Sequence, residues 1–238
     1  MRDKKPHAGK ISSAASSLGL ALLSLIVLLA NSADLSGSDT SETIKLPAPG
    51  YQSGISIEKA LLQRRSVRDY KAQPLKISEV SQILWAAQGI TDERGLRTVP
   101  SAGALYPLEV FLVAGNVSGL PAGAYRYKPA GHELVKVAEG DRRAELCEAA
   151  RGQKSVKNSA AVVVFTAIYE RSTVKYGDRG IRYSHIEVGC ASQNVYLQAV
   201  SLDIGTVFIG AFDDSQVRQL LSLDDNEHPQ CIMPLGKK

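Results

Sequence analysis

Cysteine, histidine and tryptophan are scarce in this chain. Its 238 residues include 3 cysteines, 4 histidines and 1 tryptophan. Cys147, Cys190 and Cys231 are far apart with no CxxC spacing. That excludes a zinc ribbon, a thioredoxin-type site and a disulfide-stapled mini-domain as starting points. His7, His132, His185 and His228 are scattered and no HExxH occurs, so nothing supports a metal site. A GxGxxG fingerprint and a glycine-rich phosphate loop ending in Gly-Lys-Ser/Thr are both missing. So is a GxSxG nucleophile elbow. Excess charge is small as well: 28 basic residues face 24 acidic ones, a formal +4. Arg2, Lys4, Lys5 and Lys10 stand before Asp34 and are opposed there only by Asp3, which leaves the remainder nearly neutral. A nucleic-acid binder carries a basic footprint in its folded part, and this chain has none. With 44% hydrophobic and 22% charged residues, it is globular rather than disordered, collagenous or coiled-coil.

One long apolar run is present, at the N-terminus. A basic stretch from Arg2 to Lys10 precedes Leu18–Ala30, apolar apart from Ser24, and then the small-residue exit Ala30-Asn31-Ser32-Ala33. This is the secretory pattern, and the run is shorter than the roughly 20 residues of a comfortable membrane span. Residues 1–33 are therefore expected to be a signal peptide or an uncleaved N-terminal anchor, which makes the protein exported, periplasmic or extracellular. Residues 34–55, rich in Ser, Gly, Asp and Pro, read as a linker. A single domain is expected over 56–238.

Within that domain, Ile57–Arg65 reads as a helix capped by Ser56, and Ser78–Gln88 as a helix capped by Ser78 and ended by Gly89. In the second, Val80, Ile83, Leu84 and Ala87 share one face. Leu108–Val113 and Ala160–Ile168 are apolar enough for buried strands, the latter on both faces. Ala124–Tyr127 and Glu133–Val137 form a hairpin. Asp141–Arg151 is expected to be one helix, and Ile186–Leu202 a helix buried nearly all round. Thr206–Ile209, a helix at Ser215–Leu221 and a last strand at Gln230–Leu235 complete the pattern. Strands and helices mix without strict alternation, so the expected class is α+β.

Four local features carry the chemistry. Arg64-Arg65-Ser66-Val67-Arg68 sets three guanidiniums and a hydroxyl within reach of a phosphate, although arginines at a helix C-terminus also simply complement its dipole. Pro100-Ser101-Ala102-Gly103-Ala104-Leu105-Tyr106-Pro107 lets the backbone approach a flat ligand, or is an ordinary turn. Thr206-Val-Phe-Ile-Gly210-Ala-Phe is a strand running into a glycine. Met233-Pro-Leu-Gly-Lys237-Lys238 is a strand end or a solvated tail.

Their order and wording resemble the FMN-dependent nitroreductase superfamily, closest to its SagB-type dehydrogenase, azoline oxidase-like branch, over Ser56 to Lys238. LLQRRSVRDY, RTVPSAGALYPLEVFLV, GCASQNVYLQAVSLDIGTVFIGAF and IMPLGKK carry the likeness. The resemblance implies a nitroreductase-like fold with a central, mainly antiparallel sheet between helices. It also implies a homodimer with two FMN sites at its interface; that interface is expected to rest on the buried helices, or to be smaller. Carried over by position, Arg64, Arg65, Arg68 and Ser66 would meet the phosphate and pyrimidine side of FMN. Ser101, Ala102 and Gly103 would line its ring and ribityl. Gln193 and Asn194 would reach a polar flavin atom, or bond within the core. Ile209 and Gly210 would present a backbone N–H, and Lys237 would close on the phosphate. Lys175-Tyr176 stands where azoline oxidases place an acid/base pair, or in a solvated loop. The implied activity is ping-pong hydride or electron transfer between a donor and an organic acceptor. Two other readings are oxidation of an azoline or peptide-like substrate by oxygen, and flavin binding without turnover, as in an electron carrier.

Overall fold

Short apolar runs pair into a sheet, and longer segments of helical period cover it. The computed structural model describes residues 42–238. The expected signal or anchor at 1–33 and the first part of the linker lie outside the described residues. From 42 onward the elements are β1 (Thr43–Lys45), α1 (Ile57–Gln63), β2 (Leu75–Lys76), α2 (Ile77–Gln88), β3 (Leu108–Ala114), β4 (Val117–Ser118), β5 (Gly123–Lys128), β6 (Glu133–Glu139), α3 (Arg143–Ala149), α4 (Lys154–Asn158), β7 (Ala161–Ile168), α5 (Glu170–Tyr176), α6 (Arg179–Ser201), β8 (Ile204–Thr206), α7 (Asp214–Leu221) and β9 (Glu227–Lys237). A single 3-10 turn at Ala102–Ala104 precedes β3.

Seven strands form one sheet in the order β1-β6-β5-β3-β7-β9-β8, antiparallel at every step. The α+β class and the antiparallel sheet between helices thus match the sequence reading. Strand side chains alternate between faces. Val110 and Leu112 of β3 join Val163 and Phe165 of β7 under α2 and α6. Phe111 and Val113 join Val162 and Val164 under α3, α4 and α7. Central strands apolar on both faces require cover on both, and the two helical layers supply it.

Several local expectations are corrected. The linker reading ran too far, since Thr43, Ile44 and Lys45 pair with Val135, Leu134 and Glu133. Ile44 and Leu46 alternate amid polar residues, and Leu46 is buried, so this short strand covers the edge β6 would otherwise expose. The Asp141–Arg151 helix stops at Ala149, because Arg151 and Gly152 turn left-handed before α4. Lys175 and Tyr176 end helix α5 rather than lying in a loop, and α6 begins at Arg179 instead of Ile186. Nor is α6 buried all round: Ile186, Gly189 and Gln193 form an exposed stripe. Ser56 does cap α1, accepting from the Lys59 N–H. In α2 the end is held instead by Glu79, whose carboxylate accepts the Lys76 N–H at 2.9 Å.

His132 fastens the N-terminal strand to the body. Its Nδ1 accepts from the Tyr127 hydroxyl at 2.8 Å, and its Nε2 lies 3.0 Å from the Pro47 carbonyl and 2.7 Å from Ser81 Oγ. Burial holds its pKa below the usual histidine value. The unfolded chain therefore takes up the proton first, and the stability this neutral ring contributes is present above about pH 6.5 and lost as pH falls below it. We expect urea midpoints to fall between pH 7 and 5. His132→Asn should lose about 1 kcal/mol at pH 7 and flatten that slope. An unchanged slope would remove His132 from this role.

Candidate functional site

The polar side chains of α6 pin the loops that the sequence singles out. Tyr196, otherwise buried, places its hydroxyl 3.1 Å from Ser66 Oγ and accepts the Phe208 N–H at 2.8 Å. Val67 N–H donates to the Thr206 carbonyl at 2.8 Å. Arg64, Ser66 and Arg68 are thereby brought beside the end of β8 and the segment leading from it to Gly210; the strand expected at Thr206–Ile209 ends at Thr206, with Ile209 held only by an isolated bridge to Ile232. The Arg64 guanidinium lies over the Tyr196 ring, 5.1 Å from its centre. Arg68 is exposed, and among the described residues neither it nor Arg64 pairs with a carboxylate. Arg65 differs, donating to the carbonyls of Leu62 at 2.9 Å and Arg64 at 2.7 Å. For that residue the helix-end reading holds.

The other expected contacts divide in the same way. The Ile209 N–H is committed to Ile232 of β9, each residue donating to the other at 2.9 Å. Gly210 is exposed and its N–H makes no bond within the described chain. Lys237 is no floppy tail: its carbonyl accepts from Lys71 N–H at 2.9 Å, and its ammonium meets Glu79 at 2.5 Å. Gly236 lies within β9 rather than at a turn, where a Cβ would stand 2.5 Å from the Tyr70 ring. Asn194 turns inward and donates to the carbonyls of Ala86 and Thr98, both at 3.2 Å, which is the core-bonded alternative. Gln193 is exposed. Beside Asn194, residues Tyr51, Gln82, Trp85 and Gln198 help line a cavity of about 770 Å³.

A second group forms around the turn before β3. Glu187 of α6 is buried, and its Oε1 accepts from Ser101 Oγ at 3.0 Å and Ala102 N–H at 2.9 Å. Ser101 Oγ in turn accepts the Tyr106 N–H at 2.9 Å. Burial raises the Glu187 pKa, against the two hydrogen bonds. The turn is left-handed at Gly103, Ala104 and Tyr106, a conformation that costs a non-glycine residue on the order of 1–3 kcal/mol. Lys175 and Tyr176, at the end of α5, reach this turn: a Cβ on Gly103 would stand 2.7 Å from the Tyr176 hydroxyl and 3.0 Å from the Lys175 ammonium. Arg171 ties α5 down, donating to the Tyr106 carbonyl at 3.0 Å and pairing with Glu109 at 2.7 Å. The pairs continue through Arg126 to the fully buried Glu227.

The profile of the nitroreductase family matches residues 61–237. The chain belongs to the nitroreductase family. A Methanocaldococcus jannaschii protein that carries the nitroreductase name is 45% identical over 197 residues, 83% of this chain and 98% of that one. The NADPH-flavin oxidoreductase of Vibrio harveyi is 31% identical over 186 residues, 75% of this chain and 64% of that protein. A chain of the Escherichia coli microcin synthetase McbBCD complex, solved with truncated pro-MccB17 bound, superposes with a TM-score of 0.64. It is 28% identical, over 81% of this chain and 77% of that chain. That likeness agrees with the SagB-type branch of the family.

Sequence reasoning passed over the residues that organise this nitroreductase-family site. Tyr196 and Glu187 are both on the buried side of α6. A carboxylate among small and apolar helix residues is itself a signal, because a buried charge needs partners. Arg171, Glu109 and Arg126 come from three separate elements, and no local pattern links them. Gly103 gives a direct check on the second group. Gly103→Ala should cost about 1–2 kcal/mol from its left-handed backbone alone, and should displace the ends of Lys175 and Tyr176. Denaturant unfolding measures the loss, and wild-type stability would show that the turn is not held in this conformation.

Proposed function

We propose that the protein is an exported, FMN-dependent oxidoreductase of the SagB-type branch, working as a homodimer. As a member of the nitroreductase family it is an oxidoreductase, and its likeness to an NADPH-flavin oxidoreductase supports a flavin as the cofactor. One observation carries the choice of FMN. Arg64 and Arg68, cations without carboxylate partners, stand with Ser66 on one loop fixed by Tyr196. Guanidiniums bind a phosphate bidentately, so this donor set fits the phosphate that distinguishes FMN from riboflavin. Gly210 would offer its free N–H to the ring, and Gln193 its exposed amide. Ser101 and Ala102 contribute shape and backbone, because their donors are committed to Glu187. Lys237 would reach the phosphate by leaving or sharing Glu79.

A bound FMN supplies hydride or electron transfer, alternating between a donor and an organic acceptor in a ping-pong cycle. The chain's own part is to bind, to exclude water and to hold protons. Lys175 Nζ and Tyr176 Oη, both at the Gly103 turn, would give or take a proton beside a reacting group. This placement favours a second reading, oxidation of an azoline in a peptide-like substrate with oxygen as the acceptor. The microcin synthetase likeness points the same way. Export rests on residues 1–33, and it separates the enzyme from cytoplasmic NAD(P)H. The homodimer rests on the exposed Ile186, Gly189 and Gln193 stripe of α6 and on the exposed Ile57, Leu61 and Leu62 of α1.

Stopped-flow reduction of the purified yellow full-length protein separates these readings. Rapid reduction by NAD(P)H supports the first and reduction only by an azoline peptide the second. Slow reduction by every donor would leave a flavin carrier. Arg64→Ala and Arg68→Ala should each weaken FMN binding roughly tenfold or more, the loss of about 1.5–3 kcal/mol for a charge-assisted bond. Arg65→Ala should change it little. Equal FMN affinity in all three variants, with circular dichroism retained, would make the cluster a helix-end charge group only.

A further inference from the structure

Glu187 is a buried carboxylate that the proposed chemistry does not use. It sits on α6 between Ser184 and Ala191, both fully buried, and its own exposure is 4%. Leaving a charge-bearing group in such a place is costly unless its hydrogen bonds do work that an apolar side chain could not. Both bonds go to one short stretch of backbone, and both go through the same oxygen, Oε1. The other oxygen, Oε2, is buried and has no partner. The carboxyl is therefore not satisfied for its own sake. It is aimed at the turn.

The turn needs such a hold. Gly103, Ala104 and Tyr106 have φ of +63°, +54° and +46°. Two of these three are not glycine, so the unconstrained segment would relax towards ordinary conformations. The bonds close a relay around the strained stretch. Ala102 N–H and Ser101 O–H are taken by Glu187 on one side, while Ser101 Oγ accepts the Tyr106 N–H on the other. On the far side of the turn stand the Lys175 ammonium and the Tyr176 hydroxyl.

We propose that Glu187 is a positioning residue, a latch that holds the Ser101–Tyr106 turn in its left-handed form and so fixes the wall against which Lys175 and Tyr176 rest. The chemical role of that pair rests on the function proposed above. The latch does not, and it is tested without flavin or turnover.

The test is amide hydrogen exchange, resolved by residue with NMR, on the full-length protein. In Glu187→Ala the amides of Ala102 and Tyr106 should exchange at least tenfold faster, with the amides of α6 unchanged. The Tyr176 ring resonances should shift as its hydroxyl loses contact with the Gly103 turn. Glu187→Gln keeps an acceptor oxygen and should restore both signatures. Ser101→Ala serves where Glu187→Ala fails to fold. It removes one branch of the relay, so exchange at Tyr106 should accelerate while Ala102 stays protected. Unchanged exchange at both amides in folded Glu187→Ala would overturn the latch. So would Glu187→Gln behaving like Glu187→Ala, or Ser101→Ala leaving Tyr106 protected. Absence of flavin reduction in the unsubstituted protein, with the variants exchanging as expected, would instead count against the proposed function alone.

Discussion

Helix α6 is the element on which the rest of the site depends. It is packed under the sheet through Val188, Ala191, Val195 and Ala199, and this apolar face fixes its rotation. Three polar side chains then leave it at fixed heights. Glu187 takes the turn before β3, Asn194 takes the carbonyls of Ala86 and Thr98, and Tyr196 takes Ser66 and Phe208. Nine residues separate Glu187 from Tyr196, about 14 Å along the axis at the rise of an α-helix. Each loop taken alone is rich in small or polar residues and has little core of its own. A loop gains one conformation only when its backbone groups find fixed partners, and here those partners stand on one rigid rod.

Charge is distributed with the same economy. Around β3, β5 and α5 two arginines are paired: Arg171 with Glu109, and Arg126 with Glu109 and Glu227. At the end of β9, Lys237 is paired with Glu79 and Lys238 lies 3.5 Å from Asp203. Arg64 and Arg68 stand apart from this pattern, one resting on an aromatic ring and the other in solvent. The paired arginines hold the frame, while Arg64 and Arg68 are available to an anion. The same reasoning separates Arg65, whose hydrogen bonds close the end of α1.

Much of this was legible from periodicity. The continuous apolar runs of β3 and β7 and the one-sided apolar face of α2 mark two buried strands and a helix with one packed face, as the structure has them. The exposed stripe of α6 was not legible, because small residues such as Gly189 and Ala191 look alike in a sequence whether they face a core or the surface. The edge strand at Thr43–Lys45 was hidden by its short length and by the Pro and Gly that surround it. Within the site, the residues were marked by local wording, but their partners were not. Whether the amide of Asn194 faces a ligand or two carbonyls depends on helix α2 and residue Thr98, far away in the chain. The N–H of Ile209 is likewise committed by β9, which comes later in the sequence. Long-range pairing decides such cases, and one-dimensional spacing carries no record of it.

The central claim is that the loop held by Tyr196 recognises the phosphate of FMN. Titration of the full-length protein, freed of bound flavin, with FMN and with riboflavin at low ionic strength tests it most directly. The two ligands share the ring and ribityl and differ by the phosphate. FMN should bind at least about tenfold more tightly, the effect of one charge-assisted contact, and salt should narrow the difference. Equal affinity for the two ligands, or no binding of either, would contradict the account.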